Sequence, residues 1–155
     1  MNEPKDINSP NRFGSEELDK LIQKLQSTSD PRRRYEYVLW LGKKLPLLQE
    51  EHLIESNKVK GCISEVYVKG EIIDGKIIWR GFSDAFITKG LLALLIKGLN
   101  NLTPEEILGV NESFLKETKL SNSLTPSRSN GFLNILLKMK SQAKDISLAR
   151  SPSIK

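Results

Sequence analysis

The period of the hydrophobic pattern changes in the middle of the chain, and this change constrains the fold more than any other feature. From Cys62 onwards, apolar and polar residues alternate with a period of two, and Asp74-Gly75 marks a tight turn into a second such run. Helical patterns precede and follow this hairpin. The order predicts an α+β domain with helices packed on one face of a small antiparallel sheet. Residues 58–60 are expected to add a third short strand.

The flanking helices are predicted from apolar residues that recur every three or four positions and from residues that favour helix starts. Pro46 stops the second helix. The helix after the hairpin is apolar nearly all round, which indicates a buried central helix. The predicted N-terminal caps are Ser15, Asp30, Asp84, Thr103, Asn111 and Thr125.

The chain of 155 residues has the length of one ordinary domain. We expect a single domain over residues 15–146, with a flexible tail at 1–14 and another at 147–155, because both ends lack periodicity. No apolar run reaches the roughly 18 residues that a membrane span requires, and residues 1–14 lack the apolar segment of a secretory signal. These observations predict a cytoplasmic protein without membrane association.

Composition excludes several kinds of site. One cysteine, Cys62, and one histidine, His52, cannot complete a zinc site, hold an iron–sulfur cluster or form a structural disulfide within one subunit. The net charge of +5 invites a nucleic-acid-binding interpretation. However, lysine and arginine are spread along the chain rather than gathered into one stripe, so a basic binding module is kept only as an alternative.

Cys62 is the candidate reactive residue, although a lone cysteine is more often an inert buried side chain. It follows Gly61 at a junction between a polar loop and the predicted strand, where a thiol can be exposed. Lys58 and Lys60 stand within four residues of it. Nearby ammonium groups favour the thiolate, which is the reactive form of cysteine.

Three segments around this cysteine resemble the signature stretches of the SufE family, cysteine desulfuration proteins that serve iron–sulfur cluster assembly. They are VKGCISEVY at residues 59–67, SDAFITKGLLALL at residues 83–95 and LTPSRSNGF at residues 124–132. Two departures are visible: Tyr67 stands where the motif commonly has tryptophan, and Phe82 stands where an acid often precedes Ser-Asp-Ala.

The resemblance implies a fold related to the iron–sulfur scaffold proteins, with helices covering one side of a three-stranded antiparallel sheet. It also implies that Cys62 accepts persulfide sulfur from a desulfurase of the SufS type and stimulates that enzyme. Pyridoxal phosphate would belong to the partner, so no cofactor is expected in this chain. A downstream iron–sulfur scaffold would receive the sulfur, and the chain would activate an enzyme rather than act alone as one.

Four further residues are singled out as supporting the cysteine or contacting the partner: Gly61, Ser64, Asp84 and Arg128. Asp84 is expected chiefly as the N-cap of the central helix. Arg128, in the first turn of the last helix, is expected to contact the partner or to stabilise a persulfide, because arginine is a strong donor to anions.

Three questions stay open at this stage. One rival function is a hydrolase that pairs Cys62 with His52, which requires both side chains within hydrogen-bond reach. The sequence also leaves open whether the chain is a monomer or a homodimer. Finally, the alternation places the thiol on the same side as buried valines, so we expect the polar loop of residues 55–62 to shield it at rest and to open for transfer.

Overall fold

The structure, a computed structural model, describes residues 12–150, so residues 1–11 of the predicted tail at 1–14 and residues 151–155 of the predicted tail at 147–155 lie outside the described range. Six α-helices and two strands occupy the described residues. The helices are α1 (Glu16–Ser27), α2 (Pro31–Gly42), α3 (Phe86–Leu99), α4 (Pro104–Leu108), α5 (Phe114–Glu117) and α6 (Pro126–Arg150). The strands are β1 (Val66–Ile73) and β2 (Lys76–Ser83). Because α6 continues to Arg150, it passes through the domain boundary expected after residue 146.

The predicted hairpin is confirmed. β1 and β2 pair antiparallel in unbroken register from Val66 opposite Ser83 to Ile73 opposite Lys76. Asp74 and Gly75 both have positive φ, 51° and 81°, as a two-residue type I′ turn requires. Alternate residues of the strands are buried against the helices, as the period of two predicts; these include Val66, Val68, Ile77 and Trp79.

The expected third strand is wrong: among residues 12–150 the only sheet has two strands. Residues 58–60 contribute one isolated bridge, Lys58 to Tyr67, with the amide of Val59 donating to the carbonyl of Val66 at 2.8 Å. Gly61 then turns the chain away with a φ of 81°. The pairing therefore stops after a single bridge.

The first strand also starts later than predicted, at Val66 rather than Cys62. The amide of Glu65, the residue before β1, donates to the carboxylate of Asp84 at 3.0 Å. This amide is therefore bonded to a side chain and not to a backbone carbonyl of β2. Residues 62–65 form an irregular segment, which we call the cysteine segment.

The predicted helix caps are confirmed at Ser15, Asp30 and Thr103, whose side chains accept from backbone amides of the first turn. Thr103 and Glu106 form a complete capping box. Asp84 is not a cap: α3 has Ala85 at the N-cap position without a side-chain hydrogen bond. The side chain of Asp84 instead accepts the hydrogen bond from Glu65 in the cysteine segment.

α3 is the central helix, buried on most sides as predicted. It packs against β2, α1, α2 and α6. Its contact with α2 is close, since a Cβ added at Gly90 would lie 2.1 Å from the carbonyl oxygen of Val38. α6 covers β1, so α3 and α6 together form the helical layer on the buried face of the hairpin. No helix within residues 12–150 combines the length and apolar character needed to cross a membrane.

Candidate functional site

Cys62 lies half-buried between the hairpin and the N-terminal part of α6. Its sulfur atom is 3.9 Å from the carbonyl oxygen of Gly131, toward which the thiol can donate a weak hydrogen bond. Burial raises the pKa of the Cys62 thiol above its ordinary value. The thiol is therefore accessible in part and is held predominantly in the protonated form near neutral pH.

Gly61 shapes the backbone just before the thiol. Its φ of 81° lies in the left-handed region that glycine adopts without cost. Its carbonyl oxygen accepts a hydrogen bond of 3.2 Å from the side-chain amide of Asn134 on α6. A Cβ at Gly61 would lie 2.6 Å from that amide nitrogen. Glycine is therefore favoured here by the backbone angle, and the Asn134 side chain would have to shift to admit a Cβ.

The two lysines before the cysteine do not promote the thiolate as expected. Lys58 forms an ion pair of 3.3 Å with Glu65, which also accepts from the hydroxyl of Tyr67 at 3.1 Å. Lys60 is exposed to solvent. Because burial raises the pKa of Cys62, the expected lowering by nearby ammonium groups is wrong for this conformation.

Ser64 and Arg128 are brought together by a residue that the sequence did not single out. The hydroxyl of Thr88 on α3 accepts from a guanidinium nitrogen of Arg128 at 2.9 Å and lies 3.4 Å from the hydroxyl of Ser64. Thr88 is almost completely buried. These contacts join α3 and α6 to the cysteine segment at Ser64, two residues after Cys62.

Asp84 adds a second attachment of the cysteine segment. Its carboxylate accepts from the amide of Glu65, and its own amide donates to the carbonyl oxygen of Glu65 at 3.2 Å. Asp84 is thus a support of the segment that follows the cysteine, a different role from the predicted helix cap. Within residues 12–150, no hydrogen bond joins its side chain to the thiol.

Residues 19–143 match the SufE family, described as an Fe-S metabolism associated domain. The match covers Cys62 and all four supporting residues. The chain belongs to the SufE family.

Relatives agree with this assignment. A SufE-like protein of the cyanobacterium Synechocystis is 48% identical over 134 residues, which cover 86% of this chain and 84% of the relative. The cysteine desulfuration protein SufE of Plasmodium falciparum is 37% identical over 143 residues, or 88% of this chain and 57% of the relative. SufE-like protein 1 of Arabidopsis thaliana, chloroplastic/mitochondrial, is 36% identical over 149 residues, which cover 90% of this chain and 40% of the relative. The chain thus spans only about half the length of the plant and Plasmodium proteins.

The fold also has a structural counterpart. The solution structure of a hypothetical protein from Thermus thermophilus superposes with a TM-score of 0.75 over 86% of this chain and 98% of that one, at 23% identity. This likeness supports the α+β architecture of the SufE domain described above.

The hydrolase alternative loses its structural basis. His52 directs one ring nitrogen to the amino group of Lys69 at 3.4 Å and the other to Glu51 at 3.9 Å. Its ring nitrogens therefore face partners other than Cys62. Within residues 12–150, no cluster of three or more histidine, cysteine, aspartate or glutamate side chains is arranged to hold a metal ion.

Sequence reasoning missed three residues of this site: Thr88, Gly131 and Asn134. Thr88 stands out only as the single hydroxyl within the apolar run of α3. Gly131 and Asn134 belong to one face of α6, three positions apart, and Arg128 lies three positions earlier on the same face. That spacing was the available signal, but it became informative only when the structure placed the cysteine against this face.

Proposed function

We propose that this SufE-family chain is a sulfur acceptor that takes persulfide sulfur from a pyridoxal-phosphate-dependent cysteine desulfurase onto Cys62. It would thereby stimulate the desulfurase and relay sulfur to an iron–sulfur scaffold. The observation that carries the proposal is the position of Cys62. The chain's one cysteine lies half-buried in the matched domain, and the exposed apolar side chain of Ile63 follows it directly.

The transfer is a reaction of the thiol–disulfide exchange type. The Cys62 thiolate attacks the outer sulfur of the donor persulfide, a new sulfur–sulfur bond forms on Cys62, and the donor cysteine leaves as a thiolate. The proton of Cys62 passes to the departing thiolate or to solvent. No oxidant is consumed, because the sulfane sulfur changes partners without a change in the total number of electrons.

The raised pKa of the thiol suits a carrier that waits between partners. The thiolate is the form that oxidants and small disulfides attack, so a protonated, half-buried thiol is protected in the free protein. A partner that displaces the cysteine segment would remove the burial that raises the pKa. Docking would then produce the reactive form at the place where sulfur is delivered.

Two large exposed apolar side chains, one directly after the cysteine and one at the start of α3, provide surface for such a partner. Ile63 directly follows the cysteine and is 83% exposed, and Phe86 at the start of α3 is also 83% exposed. Phe86 lies two residues before Thr88, which contacts the cysteine segment. Exposed aromatic and aliphatic anchors of this kind are typical of the centre of protein interfaces.

The remaining parts of the proposal follow from the family. Pyridoxal phosphate would reside in the desulfurase and not in this chain. Cytoplasmic location, a SufS-type partner and a monomeric or homodimeric state stay predictions; one relative carries a chloroplastic/mitochondrial designation. The basic nucleic-acid-binding alternative gains no support from the family match.

Stimulation of a desulfurase tests the function. Sulfide release from L-cysteine is measured with the desulfurase alone, with added wild-type protein and with added Cys62→Ser. We expect stimulation by the wild type and none by Cys62→Ser, since the serine oxygen cannot carry sulfane sulfur. Equal stimulation by both proteins would show that the chain does not act by accepting sulfur.

A further inference from the structure

Thr88 places a hydroxyl in an otherwise apolar stretch of α3, at 5% exposure. A buried hydroxyl without a partner is costly, and a helical threonine usually satisfies its own by bonding to the preceding turn. Here the hydroxyl instead faces two other elements: Arg128 on α6 and Ser64 on the cysteine segment. Its contacts therefore connect α3 with α6 and with the segment that carries the thiol.

The guanidinium of Arg128 has N–H donors that make no hydrogen bond within residues 12–150. A guanidinium carries five N–H groups, yet the hydrogen bond to Thr88 is the one side-chain bond that Arg128 makes within residues 12–150, and it forms no ion pair there. The positive charge is thus fixed in place but lacks a negative partner. A half-buried arginine in this state is prepared to receive an anion.

The helix geometry places Arg128 on the side of α6 that the thiol faces. Arg128 and Gly131 are three positions apart on α6 and share a face, and the sulfur of Cys62 lies over Gly131. A Cβ added at Gly131 would meet Cys62 alone within 4 Å, at 3.5 Å, so no other side chain occupies the position directly beside Gly131. The outer sulfur of a persulfide, one bond of about 2 Å beyond the cysteine sulfur, can extend into it.

We propose that Thr88 is a positioning residue, whose hydroxyl holds the Arg128 guanidinium where it pairs with the outer sulfur anion of a persulfide on Cys62. This inference rests on the proposed sulfur-carrier function. It adds a residue on the central helix that touches neither the sulfur nor the partner but acts through Arg128. Of the other charged groups next to the segment, Glu65 pairs with Lys58, Asp84 accepts from the amide of Glu65, and Lys60 is exposed to solvent.

The test uses the persulfide itself and needs no desulfurase. Inorganic polysulfide loads the protein: the Cys62 thiolate attacks a polysulfide sulfur, a sulfur–sulfur bond forms, and a shorter polysulfide leaves. After removal of the reagent, the rate of persulfide alkylation by iodoacetamide is measured by intact mass from acid to alkaline pH. The midpoint of this profile reports the ionisation of the outer sulfur, whereas a change in access alters the plateau rate.

Thr88→Val removes the hydroxyl with little change of shape, and Thr88→Ser keeps it. An opposite charge nearby favours an anion, so we expect Thr88→Val to raise the midpoint by about one pH unit and Thr88→Ser to leave it unchanged. Arg128→Ala should raise it by a similar amount. Adding Thr88→Val to Arg128→Ala should then produce no further rise, because the two residues act in series. Thr88→Ala replaces Thr88→Val if the latter does not fold by circular dichroism.

Two results would overturn the inference. One is a Thr88→Val protein whose alkylation midpoint equals that of the wild type or lies below it. A lower midpoint is what loss of burial alone would cause. The other is a rise of undiminished size in the Arg128→Ala background. Failure of a desulfurase to load Cys62 would contradict the proposed function instead, since polysulfide loading is independent of that enzyme.

Discussion

The side-chain amide of Asn134 on α6 donates a hydrogen bond of 3.2 Å to the carbonyl oxygen of Gly61, so the last helix holds the residue that immediately precedes the cysteine. Gly131, one turn earlier on α6, faces the sulfur itself. The cysteine segment is therefore attached at its start by α6 and at its end by Asp84 on the turn before α3.

Gly61→Ala should destabilise the protein by about 1–3 kcal/mol, because alanine would have to adopt a φ of 81° and its Cβ would approach Asn134 to 2.6 Å. Gly109→Ala is the matched control. Gly109 has an ordinary φ of −78°, and an added Cβ there meets its nearest neighbour at 3.5 Å. Urea unfolding measures both variants, and equal stabilities would contradict the role assigned to Gly61.

The raised thiol pKa predicts the pH dependence of Cys62 chemistry. In the folded protein, alkylation by iodoacetamide should reach half its maximal rate at a higher pH than in the urea-unfolded chain. A folded midpoint at or below the unfolded one would show that burial does not control this thiol.

The same shift has a consequence for stability. Because the folded pKa lies above the unfolded value, the thiol contributes stability that is present below the unfolded pKa and is lost as the pH rises through the folded pKa. Wild type should therefore lose more stability than Cys62→Ser between about pH 8 and pH 10. Parallel stability curves for the two proteins would contradict this linkage.

Asp84→Ala should loosen the cysteine segment, since it removes the acceptor of the Glu65 amide. We expect a loss of about 0.5–1.5 kcal/mol in the free energy of unfolding and faster alkylation of Cys62. Asp84→Asn keeps a side-chain oxygen in the same place and is the control. If both variants react at the wild-type rate, Asp84 does not restrain the segment.

The structure restricts the predicted opening to a shorter segment around the cysteine. The sequence predicted opening of residues 55–62, but Val59 is 2% exposed and its amide is bonded to Val66. Amide exchange should therefore be slow at Val59 and fast at residues 63 and 64, with α3 slower than either. Uniform exchange from residue 55 to residue 64 would favour the larger opening predicted from the sequence.

Local signals in the sequence were sufficient for much of the fold. Asp74-Gly75 fixed the turn because few residues accept positive φ at both positions, and Thr103 with Glu106 formed the predicted capping box. Asp84 was misassigned because aspartate before a helix satisfies either a cap or a neighbouring loop, and only the position of Glu65 decides between them. The prediction of a third strand is wrong for a similar reason. The sequence pattern does not reveal that the backbone of Gly61 turns the chain away from the sheet.

The site was predictable in part. Cys62 is identified as the one thiol of the chain and Arg128 as an arginine in the first turn of the last helix, both within segments that resemble the family. Thr88 and Asn134 instead depend on contacts across 40 and 73 positions of sequence that no local pattern contains. The two departures from the family motif meet in space: Tyr67 and Phe82 are cross-strand partners with ring centroids 6.3 Å apart. The aromatic pair packs on the outer face of the hairpin, a relationship visible only once the register is known.

The most direct test of sulfur acceptance is the intact mass of the chain after incubation with a cysteine desulfurase, pyridoxal phosphate and L-cysteine, followed by peptide mapping. The account predicts the addition of one sulfur atom, located on Cys62, reversed by a small reducing thiol and absent from Cys62→Ser. An unchanged mass of the wild-type protein, while the desulfurase turns over its substrate, would contradict the account.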